Sequence, residues 1–204
     1  RPKMKNQEEV TMDDLLKNSL RMRPDRILVG EVRGREAQTM FVAMDTGHRG
    51  MMGTLHANNA KETLIRLKSE PMAVPEAMLP LLDLIVVQYR QYMKDKGLIR
   101  RILQVAEVSR MNEQVLLSNI FEWDRVKDEV RKTDVPARVL ETLAEKAGVS
   151  KKEIMREIAT RQQILEWMLK NNIREQVDVE KIIQGYYYNP NYILEKVVKE
   201  ERMD

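Results

Sequence analysis

The 204-residue sequence contains no cysteine, which excludes a disulfide framework and any thiolate-ligated metal centre and suits a reducing compartment. With only 2 histidines, a histidine-rich metal site is excluded as well. No apolar run approaches the roughly 18 residues that a membrane-spanning helix requires. The opening Arg1-Pro2-Lys3-Met4 has no signal-peptide core, and a start on arginine leads us to expect a piece of a longer chain. Aromatic residues make up only 5% of the chain, and the 35 basic and 32 acidic side chains leave a net charge of +3. That total offers no nucleic-acid or membrane footprint. None of the 8 glycines belongs to a G-x-x-x-x-G-K-[ST] loop, so these residues carry no phosphate cradle and no P-loop lysine.

What is present is a chain of 43% apolar content, enough to bury a core and to form one or two domains. The first 110 residues carry 19 basic and 14 acidic side chains and the remainder 16 and 18, so the basic excess lies on the N-terminal half. The chemistry there is concentrated in residues 20–59, LRMRPDRILVGEVRGREAQTMFVAMDTGHRGMMGTLHANN. Ile27, Leu28 and Val29 form a continuous apolar run of the kind expected for a strand buried on both faces, and Glu31 follows directly. Glu36 to Asp45 predicts a helix that stops at Gly47 in a left-handed conformation. Gly50 to Leu55 reads as a second short strand whose glycines permit close approach of another backbone, with His56 at its end. Strand, helix and strand in this order make a parallel crossover unit.

On the N-terminal side, Thr11 and Asp14 predict a capping box opening a helix to about Met22, which Pro24 ends. Beyond the centre, Asn58 or Asn59 caps a helix to about Ser69, and Pro71, Pro75 and Pro80 then break the chain. Leu84 to Val87, Ile99 to Val108 and Val115 to Trp123 read as a three-stranded antiparallel meander that extends the parallel part into a mixed sheet. From about residue 133 the pattern is helical. Ser150 and Glu153 form a capping box, Ile154, Ile158, Leu165, Met168 and Leu169 form the apolar stripe of a long helix, Asp178 caps another, and Asn189-Pro190 starts the last. The expected organisation is an α/β unit over residues 1–132 and an all-helical unit over 133–204.

In open α/β sheets ligands bind beyond the carboxyl ends of the strands, where Glu31 and His56 fall if their strands are parallel neighbours. A carboxylate there holds magnesium through water or orients an attacking water, and a histidine there contacts a terminal phosphate. Arg33, Arg35 and Arg49 are candidates for charge stabilisation. Taken one at a time, a glutamate after a strand is more often a solvated loop residue, and a lone histidine more often a hydrogen-bonded structural one.

The two strings LRMRPDRILVGEVRG and TGHRGMMGTLHANN together resemble the secretion ATPases of type II and type IV secretion, type IV pilus and archaellum motors. The first resembles their Walker B signature through Leu20, Arg21, Pro24, Asp25, Gly30, Glu31 and Arg33. The second resembles their His box through Thr46, Gly47, His48, Gly53, Thr54, Leu55, His56 and Asn58. Gly34 departs from the acidic residue usual in the bacterial type II branch, and LEWMLKNNIREQ with YYYNPNYILEKV looks like the helical tail of archaeal members.

The resemblance implies a partial RecA-like P-loop NTPase core followed by a helical domain, with ATP and Mg2+ as cofactors. Glu31 is implied as the carboxylate activating water near magnesium, which it would hold through water, and His56 as the sensor of the γ-phosphate. Arg33 is carried over as a third catalytic group, and Arg21, His48 and Thr54 as nucleotide-binding positions. The family also implies a hexamer, cytoplasmic and peripheral to the inner face of the cell membrane, working on a membrane platform protein. The phosphate-holding half is expected upstream of Arg1, so the isolated chain is expected to be inactive. Its exposed sheet edge would invite dimerisation. A non-catalytic assembly or docking module and the motor of a DNA-transfer system are the alternatives.

Overall fold

The computed structural model describes residues 9–48, 50–112 and 114–201. The chain divides into two compact units, residues 1–137 and 138–204, and each is mixed or helical as its own pattern dictates. No helix among the described residues is long and apolar enough to cross a membrane.

The first unit opens with α1 (Met12–Leu20), whose Thr11 hydroxyl accepts from the Asp14 N–H while Asp14 reaches back to Thr11. β1 (Ile27–Val29), α2 (Glu36–Asp45) and β2 (Met51–Gly53) form the crossover unit, with β1 and β2 parallel in the register Ile27 to Met51, Leu28 to Met52 and Val29 to Gly53. At the end of α2, His48 N–H donates to the Ala43 carbonyl and Gly47 N–H to that of Met44. Gly47 itself lies at φ +103, so the helix ends in a Schellman motif that only the left-handed residue permits. α3 (Ala60–Lys68) follows with Asn59 as its cap, and a short 3-10 turn, Glu76–Leu81, leads into the second sheet.

That sheet is an antiparallel meander in the order β3 (Leu84–Met93), β4 (Gly97–Met111), β5 (Gln114–Asp124) and β6 (Glu129–Lys132). The expected single mixed sheet is not what forms. The parallel pair and the meander are separate sheets, because the proline-broken segment from Pro71 to the 3-10 turn stands between them in sequence and no ladder joins them among the described residues. The fourth strand went unpredicted for a clear reason: Glu129, Val130, Arg131 and Lys132 are all exposed and carry no apolar alternation. It is placed by its turn, where Asp128 accepts from Lys96 Nζ, Arg101 Nε and Nη2, and Trp123 Nε1.

The unit's core runs from Leu16 through Val29, Val32, Met40 and Phe41 to Leu64, Leu67, Val74 and Leu79, and on to Ile85, Val87, Ala106 and Val108 of the meander. α2 and α3 each give one apolar face to it. The expectation that β1 is buried on both faces is corrected here. Val29 is buried, but Leu28 is 70% exposed and its ladder partner Met52 is 55% exposed, so one face of the parallel pair is bare.

The second unit comprises α4 (Arg138–Ala147), α5 (Lys151–Lys170), α6 (Gln176–Tyr188) and α7 (Pro190–Glu201). Ser150 and Glu153 form the capping box of α5, and Asn189 accepts from the Tyr192 N–H at the start of α7. Two expectations fail in this unit. Asp178 lies in the first turn of α6 behind Glu175 instead of capping it. The buried stripe of α5 is Ile164, Trp167 and Met168, which face Tyr186, Ile193 and Val197, whereas Ile158, Leu165 and Leu169 are exposed. The packing of α6 and α7 chooses which side of an ambiguous helix is covered.

Leu79 is the largest fully buried side chain of the described residues and joins the 3-10 turn to the core. Leu79→Ala is expected to destabilise the chain by about 2–5 kcal/mol in urea unfolding, the range for a leucine cavity that collapses incompletely.

Candidate functional site

The site is built where the parallel ladder runs out. Beyond Val29 and Gly53 the two chains stay bonded: Thr54 N–H donates to the Val29 carbonyl, and Val32 N–H donates to the Thr54 carbonyl at 2.7 Å. The Thr54 hydroxyl adds a bond to the Gly30 carbonyl at 2.5 Å. Gly53 is what lets the chains approach, since a Cβ there would lie 3.1 Å from Val32 Cγ2 and 3.4 Å from Met40 Cε. These ties leave Glu31 and His56 on adjacent loops at the carboxyl ends of adjacent strands.

Their side chains meet. His56 Nε2 lies 3.2 Å from Glu31 Oε1, and Arg33 Nε pairs with the same oxygen. That oxygen is shielded from solvent, yet neither neighbour lies along a good hydrogen-bond line to it, so the Arg33 contact is an ion pair of imperfect alignment. The imidazole contact becomes an ion pair when His56 is protonated. Arg33 and His56 are themselves largely exposed, so the cluster opens to solvent on their side. The guanidinium beside Glu31 holds its carboxyl below the usual glutamate range against a smaller opposing effect of desolvation, and the same pairing raises Arg33. Glu31 is therefore a carboxylate at neutral pH, the form that can accept a proton from water or bind a hydrated cation.

Both loops are fixed again on their far sides by the first turn of the helix that follows. Glu62 of α3 accepts from Asn58 N–H and Nδ2, while Asn59 Oδ1 caps the Glu62 N–H, which secures the His56 loop. Glu36 of α2 accepts from the Arg33 and Gly34 N–H groups, which secures the Glu31 loop. Glu36 was not singled out from sequence, although an acid in the first helical turn after a strand and loop is the signal that finds it.

Of the remaining candidates, Thr54 is at the site but spends its hydroxyl on the Gly30 carbonyl. Arg21 closes α1, and His48 follows the far end of α2, about 15 Å along a ten-residue helix from Glu36. No ion pair joins either to Glu31. Arg49 lies outside the described residues. No group of three metal-ligating side chains occurs among the described residues, so any cation here would be held by Glu31 with water and ligand oxygens.

The model of the type II/IV secretion system protein family matches residues 2–189. The chain belongs to that family. A protein of Methanocaldococcus jannaschii of uncharacterised function is 35% identical over 184 residues, 89% of this chain and 67% of its own length. The type IV pilus ATPase PilU of Pseudomonas aeruginosa is 48% identical over 67 residues, 30% of this chain and 17% of that protein. Among solved structures, the VirB11 ATPase of the Brucella suis type IV secretion system, in complex with sulphate, is similar at 29% identity with a TM-score of 0.41, covering 48% of this chain and 32% of that one. The chain thus spans a fraction of its family relatives that ranges from about two thirds down to less than a fifth.

Replacing Arg33 removes the cation that depresses Glu31. In Arg33→Met the Glu31 carboxyl is expected to titrate at a higher pH than in the wild type, because desolvation then acts without the opposing guanidinium. Carbon-detected NMR titration of the Glu31 carboxyl measures this directly.

Proposed function

We propose that this chain is the hydrolysis and sensing half of a secretion or pilus motor ATPase, the C-terminal part of a RecA-like core followed by a helical domain. The observation that carries the proposal is the 3.2 Å approach of His56 to Glu31 at the carboxyl ends of two parallel strands. It occurs in a family whose motifs supply both residues. In this role Glu31 accepts the proton of the attacking water, His56 reports the terminal phosphate, and Arg33 keeps Glu31 anionic and stabilises charge. Magnesium supplies charge neutralisation at the phosphates when nucleotide is bound. Arg21, His48 and Thr54 belong to the same proposal as supporting nucleotide-side positions, with Thr54 acting through the loop it ties.

The phosphate cradle is proposed to come from a segment outside these 204 residues. Two features support this. Among the described residues the parallel sheet has two strands, and it leaves Leu28 and Met52 bare, as a partial sheet would. The N–H groups of the loop just before α2, those of Arg33 and Gly34, are already taken by Glu36. We further propose a hexamer at the inner face of the cell membrane that drives protein export or assembly of a pilus or archaellum on a membrane platform protein. The alternative, a non-catalytic assembly module, draws on the same lack of a cradle.

The test uses the full-length protein and the 204-residue chain side by side. Steady-state ATP hydrolysis is expected only from the former, and Glu31→Gln is expected to lower its kcat by about 10²–10⁴-fold. Full activity in Glu31→Gln would favour the assembly module.

A further inference from the structure

The loop from Gly30 to Arg35 carries two members of the cluster, and its far side rests on one side chain. Glu36 is only 7% exposed, and its Oε1 accepts from Arg33 N–H at 2.6 Å and from Gly34 N–H at 2.8 Å. Arg33 is thus held by Glu36 through its backbone while its side chain holds Glu31. Gly34 makes room for this arrangement, since a Cβ at that position would lie 3.0 Å from Glu36 Oε2. Burial pushes the Glu36 carboxyl up, but the N–H groups of Arg33, Gly34 and Glu36 outweigh it, with Asp13 opposing them weakly, and the carboxyl ends below its ordinary range. With its Arg33 and Gly34 N–H groups taken by a buried carboxylate, the loop ahead of α2 has fewer donors to offer.

We propose that Glu36 is a positioning residue for the Glu31–Arg33–His56 cluster, its carboxylate fixing the backbone from which Glu31 and Arg33 project. The proposal deepens the hydrolytic reading of Glu31 and rests on it for its functional meaning, but its structural half is testable without nucleotide. An acid further along the helix would not serve, because only the first turn brings the carboxylate back over the loop.

Three variants of the 204-residue chain and of the full-length protein test it. Glu36→Met keeps the side-chain volume and removes the acceptor, and Glu36→Gln restores one acceptor oxygen. In the 204-residue chain, the Arg33 and Gly34 amides are expected to be protected from hydrogen exchange in the wild type and to exchange up to about tenfold faster in Glu36→Met. The Glu31 carboxyl is expected to titrate at a higher pH in Glu36→Met than in the wild type, as its pairing with Arg33 loosens, and to return toward its wild-type position in Glu36→Gln. In the full-length protein, Glu36→Met is expected to lower kcat by about 10–100-fold with KM for ATP within about twofold, and Glu36→Gln to recover most of the loss. Wild-type amides that exchange at free-peptide rates would overturn the proposal without any variant. So would a folded Glu36→Met with unchanged exchange, unchanged Glu31 titration and unchanged kcat. Glu31→Gln, the third variant, separates the two ideas: if it keeps full activity while the Arg33 and Gly34 amides depend on Glu36, the hydrolytic reading fails and the positioning holds.

Discussion

Everything distinctive in the first unit depends on the parallel pairing of two three-residue strands, continued past their ends by the bonds between Val32 and Thr54. Three ladder positions are a short sheet, and such a pair is weak on its own. It persists because α2 lies over one face with Met40 and Phe41 buried, and because Gly53 lets the chains close up against Val32. If the register slipped by one residue, Val29 would turn outward and Leu28 inward, and Glu31 and His56 would no longer share a side. The contact between acid and histidine is a consequence of strand register before it is a matter of either side chain's chemistry.

The same economy governs the loops. Each of the two site loops is held at its start by strand hydrogen bonds and at its end by a glutamate in the first turn of the next helix, Glu36 for one and Glu62 for the other. An acid there accepts from N–H groups of the loop just ahead of the helix, stiffening that loop, and its charge suits the helix dipole. A chain built in this way places charged groups without a disulfide. It also explains why the exposed cluster can keep a defined geometry: its backbone is fixed even though Arg33 and His56 project into solvent.

Much of this was legible in the residues. The capping pairs Thr11 with Asp14 and Ser150 with Glu153, the Gly47 stop and the Asn189-Pro190 start are local chemistry, and the structure has each where the pattern puts it, while of the two candidates Asn58 and Asn59 it is Asn59 that caps α3. Alternation and turn residues located β3, β4 and β5 for the same reason. What was not legible depends on distant partners. A run such as Ile27-Leu28-Val29 states that the strand is apolar but not how many of its faces find cover, and the exposed Leu28 is decided by what packs nearby. Likewise, Leu165 and Trp167 are both apolar residues of α5, and only the packing of α6 and α7 determines that Trp167 is buried. At the site, the proximity of Glu31 and His56 followed from parallel order, whereas the bracing by Glu36 needed side-chain geometry.

The central claim is that Glu31 and His56 face the terminal phosphate of a nucleotide held by another part of the protein. It is tested most directly by a structure of the full-length protein with magnesium and a non-hydrolysable ATP analogue. The account predicts the γ-phosphate within hydrogen-bond reach of His56, about 2.6–3.2 Å, with an ordered water between it and the Glu31 carboxylate. Nucleotide bound well away from the ends of β1 and β2, with Glu31 and His56 touching neither phosphate nor its water, would contradict it.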